Sequence, residues 1–511
     1  MPKRTSILIG ALVLIYVAVR LWRLTDSCLW FDEIFSVHAA EHDWAGMFRF
    51  VAQDLVHPPL FYSVLKLWIG LGGEGLFWLR LLPLLFSVMA IVPFLFLCRE
   101  LKFDSSVTSF ALFLFAVNGS LIKYTQTLRM YSMLMFLSLL SIWLFTRYFN
   151  RGKGWAWLVI VNVVLVHTHY FGWLVVGAET MAILMFQRIK FARTAAMLGI
   201  VSAAFIPWLV AVWSAATNGS DLGQNIAWQA RPGVREIATF LLDLAEPIYF
   251  QASNTEPGSI YLTSIPILML ITVAAGIYFT GDRSDEDKAR TNLLLLFALF
   301  PTLIGFVISW ALPHSVWGTR HLIMVTPIFS ILAANAILRI NERTTRLGIT
   351  VSVVALAAVA ALVVALRESP RYVWCAWEGA ATDIRSKQPA PTIYTFENLI
   401  AYHLWFAQRK SGATQVKVVK GVDVSTADDA YFLPRGFGEV IAVPLQEIRE
   451  DEFWLAFRPI RRSDDARLIE VFTRLGYTSC SRNEAKYDRT SAFWLKFAKD
   501  PRRCAASIVP N

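Results

Sequence analysis

Charge is what this sequence has too little of. Only 17% of its 511 residues are Asp, Glu, Lys or Arg, against about a quarter in soluble globular chains. Hydrophobic residues make up 56% and the mean hydropathy is +0.49, which excludes a disordered chain and an ordinary water-soluble one. The shortfall is uneven: residues 1–366 hold 26 Lys/Arg and 20 Asp/Glu, residues 367–511 hold 22 and 18. The fold class expected is an all-α polytopic membrane domain over 1–366 followed by a small soluble α/β domain over 367–511. The net charge of +10 then needs no nucleic acid to explain it. Cysteine is sparse too. Cys28, Cys98, Cys375, Cys480 and Cys504 lack metal-ligand spacing, and where one disulfide could form among them its pairing is not readable. The last domain has no Gly-rich phosphate loop, and hydropathy shows no internal repeat.

What is present is a series of long apolar runs. After the basic start Lys3-Arg4, the run Ile7 to Val19 resembles a signal peptide. No small-residue cleavage site follows, so it reads as an uncleaved first span. Further runs lie near 82–98, 106–122, 131–146, 155–168, 170–187, 195–214, 259–280, 291–311, 321–338 and 347–366, each about long enough to cross the hydrocarbon. That gives about eleven transmembrane helices. With a cytoplasmic N-terminus, 16 of the 26 Lys/Arg of residues 1–366 fall in the inside loops, among them Arg99, Arg151, Lys190, Arg283 and Arg343, as the positive-inside rule requires. The expected location is the cell inner membrane, with 367–511 on the periplasmic side.

Two outer loops are long, Thr25 to Arg80 and Ala215 to Gly258, and long loops tend to carry function. In the first, Trp44, Met47, Phe48, Val51 and Leu55 recur at helical spacing opposite Asp43, Arg49 and Asp54. This reads as a helix in the membrane interface or one packed on the bundle. In the last domain, β-rich runs (392–396, 415–419, 453–457, 492–497) alternate with helical patterns (397–408, 464–475), which argues a small α/β domain in an accessory role.

Polar side chains beside a bilayer are costly unless paired or wet, so they are the functional candidates. Asp32 and Glu33 sit together in Trp30-Phe31-Asp32-Glu33; on a helix they diverge by about 100°, so one can enter a cavity while the other caps the helix. His57 opens His57-Pro58-Pro59-Leu60. Arg80 returns the chain to the membrane as a snorkelling anchor or more. Arg129 and Tyr131, His169 and Tyr170, and Arg320 and His321 follow at the mouths of later spans. His167 and His169, two apart, share no helix face and do not read as a zinc pair. The topology gathers these segments at one membrane face. Carboxylates with guanidinium groups there suit removal of a proton from an acceptor and stabilisation of a leaving phosphate. Glu179, midway through a span, stands outside this group without an assignable partner.

The order Trp30-Phe31-Asp32-Glu33, His57-Pro58-Pro59-Leu60, Arg80-Leu81-Leu82-Pro83, Arg129-Met130-Tyr131, His169-Tyr170 and Arg320-His321 resembles membrane glycosyltransferases of the GT-C type. It is most similar to glycosyltransferase family 39, with its protein O-mannosyltransferases and lipid A aminoarabinose transferases, and to bacterial relatives that glycosylate lipopolysaccharide. The resemblance covers about residues 8–340. It implies transfer of one sugar from a polyprenyl-phosphate donor to an acceptor hydroxyl of a glycolipid, polysaccharide or protein, with inversion. Asp32 would be the general base and Glu33 would orient it or the acceptor. Arg129, Arg320 and His57 would hold the phosphate, and Tyr131, His169, Tyr170 and His321 would line the pocket. Some relatives bind a divalent cation near this loop; only Glu33, His57 and His169 are visible as ligands here, so the metal stays unknown. Where the family often has an acidic residue shortly before the Arg-Tyr pair, this chain has Gln126. The rival readings are a transporter or flippase of lipid-linked sugars, which would show repeats and half-helices, and a non-catalytic scaffold.

Overall fold

The computed structural model describes residues 3–220, 226, 229–249, 261–368, 371–388, 390–411, 414–420, 438–459, 464–487 and 490–505. Part of the second long outer loop lies outside these residues. The chain divides into two compact units. One comprises Met1–Thr25, Ala39–Phe250 and Ser259–Glu368; the other Asp26–His38, Gln251–Gly258 and Ser369–Asn511.

The first unit is helical, and the eleven apolar runs fall largely on helix; residues 259–260 of the run 259–280 lie outside the described residues. In chain order the helices are α1 (Lys3–Leu21), then α2 (Phe31–Glu41), α3 (Trp44–Asp54) and α4 (Leu60–Gly72) in the first long loop. They are followed by α5 (Leu76–Met89), α6 (Ile91–Glu100), α7 (Ser105–Val117), α8 (Gly119–Thr125), α9 (Tyr131–Arg151), α10 (Trp155–Thr168), α11 (Gly172–Phe186) and α12 (Phe191–Thr217). Next come α13 (Val234–Ala245), α14 (Ser264–Thr280), α15 (Asp285–Ala311), α16 (Val325–Leu338) and α17 (Arg343–Leu366). Among the described residues five helices are long and apolar enough to cross a membrane: Leu76–Glu100, Tyr131–Arg151, Phe191–Thr217, Asp285–Ala311 and Arg343–Leu366, with seven shorter apolar ones beside them. The chain is a multi-pass membrane protein. Helix α4 is apolar and has 13 residues, about 20 Å at 1.5 Å per residue.

Helix ends follow the local sequence. Asp104 caps α7 by accepting from Ser106 N and Val107 N, and Asn118 caps α8. Gly152, at φ 68°, ends α9. Asn118 begins an Asn-Gly-Ser tripeptide, yet its amide donates to Asp243 O and Leu244 O, so it is a structural tie and not a glycan acceptor. Helices α4 and α5 are clasped by Trp68 and Trp78, stacked at 4.1 Å, each indole N–H donating to the other's carbonyl at 2.7 and 2.9 Å. A Cβ on Gly72 would lie 2.2 Å from the Trp78 ring, so only glycine fits there.

Buried polar groups tie the first unit together. Arg20 is fully buried; it donates to Ser87 Oγ at 3.1 Å, Ala116 O at 2.7 Å and Phe115 O at 3.3 Å, and lies 3.4 Å from the Tyr16 ring centroid. It thereby satisfies carbonyls at the end of α7 that have no helical donor. Gln126 Nε2 donates to Arg20 O and Trp22 O, capping α1, a task an acidic side chain could not perform. Arg80 is buried and donates to Leu24 O at 2.8 Å, so it ties down the chain after α1 and is not a snorkelling anchor. Glu179 has partners after all: Ser141 Oγ at 2.6 Å and Asn162 Nδ2 at 2.7 Å join α9, α10 and α11 inside the bundle.

The second unit carries the expected α/β fold. A six-stranded sheet runs β3-β2-β1-β4-β6-β5, with β1 (Thr392–Thr395), β2 (Gln415–Lys420), β3 (Ile441–Pro444), β4 (Glu452–Phe457), β5 (Thr478–Lys486) and β6 (Ser491–Ala498). The first four are mutually parallel, and β6 and β5 add antiparallel. Helices α18 (Ala376–Lys387), α19 (Asn398–Gln408) and α20 (Asp464–Arg474) accompany it. Its core includes Tyr394, Phe453, Leu455, Phe472, Leu495 and Phe497. Two disulfides form, Cys28–Cys375 and Cys480–Cys504, leaving Cys98 buried and reduced.

His403 on α19 is fully buried and stacks on Trp374 at 5.6 Å. Burial pushes its pKa down to about 3. The unfolded chain therefore takes up the proton first as pH falls, and stability present above about 6.5 is lost at about 1.4 kcal/mol per unit below it. The unit is expected to weaken by about 2 kcal/mol between pH 6.5 and 5, seen as faster hydrogen exchange of the β1 and β4 amides in the full chain. Exchange that stays level over that range, once corrected for intrinsic rates, would contradict it.

Candidate functional site

The first unit gathers several of the expected residues around Arg129. Helix α3 ends at Asp54, and Leu55 takes φ 60° as its cap, an uncommon conformation for a residue with a side chain. That turn brings His57 back beside Asp54, with Nδ1 to Oδ2 at 3.0 Å. The other ring nitrogen, Nε2, lies 3.2 Å from Arg129 Nη2, and Arg129 Nη1 donates to Tyr62 Oη at 3.4 Å. Because a guanidinium can only donate, His57 Nε2 accepts and Nδ1–H donates to the Asp54 carboxylate. Asp54, His57 and Arg129 are all buried. The chain Asp54–His57–Arg129 thus fixes the direction of a buried cation.

Three imidazoles and an aromatic wall adjoin it. The His169 ring centroid lies 5.7 Å from His57, 5.3 Å from His321 and 6.2 Å from Tyr131. His169 Nδ1 accepts from Phe171 N at 3.1 Å, which places the remaining proton on Nε2. That buried N–H has no acceptor among the described residues. Burial, then the neighbouring His321, His57, Arg129 and Arg320, hold the His169 pKa well below the usual histidine range, so it is a neutral donor. His321 Nδ1 donates to Val316 O. Arg320 stands 6.0 Å over the Tyr131 ring.

The remaining expected residues each have partners of their own. Tyr170 accepts from Trp208 Nε1 at 3.1 Å and so is tied to α12. Asp32 and Glu33 lie in the second unit. There Glu33 is buried and its Oε2 accepts from Trp30 N at 2.7 Å, capping α2. Between Phe31 and Ala40 every residue is buried except Asp32. Glu33 thus serves the helix cap, while Asp32 is half-buried.

Sequence reasoning missed Asp54, Tyr62 and Asp243. It put Asp54 on the polar face of an interface helix; the structure buries Asp54 with Met47 and Val51 and leaves Trp44 and Phe48 exposed. The i, i+3 spacing of Asp54 and His57 across a helix end was the available signal. Asp243 on α13 accepts from Tyr261 Oη at 2.9 Å. Burial raises its pKa against the opposing hydrogen bonds of Thr319 and Tyr261. It is a carboxylate beside the residue that precedes Arg320.

A divalent cation does not fit this cluster. Both His57 nitrogens are engaged, His169 Nδ1 is engaged, and a guanidinium sits among them; no group of three or more His, Cys, Asp or Glu among the described residues is arranged to hold a metal. Directed N–H donors with neutral imidazoles suit an anion instead, and a phosphate with several oxygens above all.

No family model and no curated protein matches the sequence. Solved structures do. ArnT from Cupriavidus metallidurans in the apo state superposes with a TM-score of 0.60 at 14% identity, covering 98% of this chain and 99% of that one. The chain has a GT-C fold. ArnT bound to undecaprenyl phosphate gives a TM-score of 0.59 at 13% identity over the same shares. The archaeal oligosaccharyltransferase AglB from Archaeoglobus fulgidus, in complex with an inhibitory peptide and a dolichol-phosphate, matches at 0.48 and 14%, over 79% of this chain and 63% of its own. The GT-C fold is the one the sequence resemblance implied for residues 8–340, and the α/β domain that follows is the one read from its own strand and helix pattern.

Proposed function

We propose that the chain is an inverting glycosyltransferase that moves a sugar from a polyprenyl-phosphate donor to an acceptor hydroxyl on the periplasmic side of the cell inner membrane. The observation that carries this reading is the buried donor cluster of Arg129 and His169, with an N–H on His169 that lacks an acceptor among the described residues. A phosphate oxygen would supply that acceptor. ArnT, of the same fold, has been solved with undecaprenyl phosphate. The two disulfides favour an oxidising compartment, in keeping with the charge bias of the loops.

In the proposed reaction Asp32 takes the proton of the acceptor hydroxyl as its oxygen attacks the anomeric carbon. The bond from that carbon to the phosphate oxygen breaks on the opposite face, and its electron pair stays with the phosphate. Inversion follows from this in-line displacement, with the hydroxyl in the place water has in inverting hydrolysis. Arg129, His169 and Arg320 stabilise the charge that collects on the leaving phosphate. Mass spectrometry of glycolipids, envelope polysaccharide and membrane proteins tests this. A hexose- or pentose-sized mass is expected only in cells that make the chain, and identical spectra in all three fractions would end the proposal.

A further inference from the structure

The α/β domain was expected to be an accessory, yet within its unit it holds the acidic segment in place. Residues 26–38 fold with residues 369–511 as one compact unit. The bridge Cys28–Cys375 joins them covalently. Two residues along, the Trp30 ring meets the Trp374 ring edge-on at 5.4 Å, and Phe31 meets Tyr402 at 5.1 Å. At the other end of the segment His38 meets Trp405 at 4.7 Å and lies 3.6 Å from Glu439.

Trp374 is itself immobilised. His403 stacks on it, and the Arg458 guanidinium lies 4.4 Å from its centroid while bonding both oxygens of Glu397 at 3.0 Å. The anchored residue, Trp30, is the one whose backbone N–H receives the Glu33 cap and whose carbonyl accepts from Glu33 N and Ile34 N. Anchoring Trp30 therefore sets the start and direction of α2, and with it the one residue of 31–40 that is not buried, Asp32.

We infer that the α/β domain is a positioning element for Asp32, acting through Cys375 on Cys28 and through Trp374 on Trp30. This rests on the reading of Asp32 as the base. Cys28, Trp30, Trp374 and Cys375 touch no reacting atom in this scheme; their effect passes through the placement of α2. A base on a hinged segment would spend most of its time out of position, and small misplacements cost rate steeply.

The test uses the full-length membrane protein as Cys28→Ser/Cys375→Ser, as Trp374→Ala, which keeps the bridge, and as Trp374→Phe, which keeps an aromatic edge. Three quantities are read: amide exchange of residues 31–38, sugar-bearing product in cells, and binding of undecaprenyl phosphate as a probe. For the first two variants exchange should quicken about tenfold and product fall about tenfold, with the probe's affinity within about twofold of native and Trp374→Phe close to native. Unchanged exchange, or faster exchange with undiminished product, overturns the inference. So does loss of probe binding in parallel, which would mean general misfolding. Asp32→Asn made alongside separates the two ideas: native product from it fails the base, while the exchange data still decide the anchoring.

Discussion

Cells carrying Asp32→Asn are expected to make about 10²- to 10⁴-fold less glycosylated product than native cells, the span general-base catalysis supplies. The substitution keeps size and shape while removing the negative charge and, with it, the capacity to take a proton. The backbone bond at Asp32, its carbonyl accepting from Ser36 Oγ at 2.9 Å, is unaffected by the substitution. Glu33→Gln supplies the contrast. An amide oxygen can still accept from Trp30 N, so that variant should keep most of its product, whereas Glu33→Ala loses a cap worth about 1 kcal/mol. Mass spectrometry of the envelope fractions reads all three. Native product from Asp32→Asn with none from Glu33→Gln would exchange the two roles.

The second large effect is at Arg129. Its guanidinium spans two fixed partners, His57 Nε2 and Tyr62 Oη, while Asp54 holds the imidazole from behind. Alanine would remove the buried cation together with its bond to the imidazole. Truncating one member of a buried hydrogen-bonded charge pair costs about 2–5 kcal/mol, so undecaprenyl phosphate should bind about 30- to 5,000-fold more weakly. Lysine restores the charge at one nitrogen and cannot bridge both partners, so it should recover only part of the loss. Titration of the purified protein with undecaprenyl phosphate checks this, and an affinity equal to native in Arg129→Ala would remove Arg129 from phosphate binding.

How far the sequence could be read depended on how each element announces itself. The apolar runs fall largely on helix because a membrane helix needs a long apolar stretch, and few other structures tolerate one. In the α/β domain the central strands β1, β2 and β4 and the antiparallel β6 were legible, being buried and rich in Val, Phe, Trp and Tyr. The edges β3 and β5 were not. β5 reads Thr-Ser-Cys-Ser-Arg-Asn-Glu-Ala-Lys and alternates between exposed and half-buried positions, so it carries no apolar signal, as befits a strand that must discourage further pairing. At the site, His57, Arg129, Tyr131, His169 and His321 were visible as polar groups beside a bilayer and do come together. Asp54 was hidden by its own helix, where a carboxylate three residues from a histidine looks like surface until the left-handed turn at Leu55 is known. Tyr170, adjacent to His169 in sequence, accepts from Trp208 and also lies within electrostatic reach of Asp54. The pairing of Cys28 with Cys375 had no local trace, since it joins residues 347 apart.

That separation also sets an order of events during synthesis. Cys28 is made before any span but the first, and its partner follows 347 residues later, roughly 17 to 70 s at about 5–20 residues per second. Throughout that interval Cys28 is a thiol without its mate, and when the C-terminal stretch arrives Cys480 and Cys504 offer it two wrong ones. Cys480 and Cys504 lie only 24 residues apart and meet readily through a short loop. Maturation of this chain is therefore expected to depend on catalysed disulfide exchange, with the acidic helix gaining its final place only after the segment around Cys375 has been made.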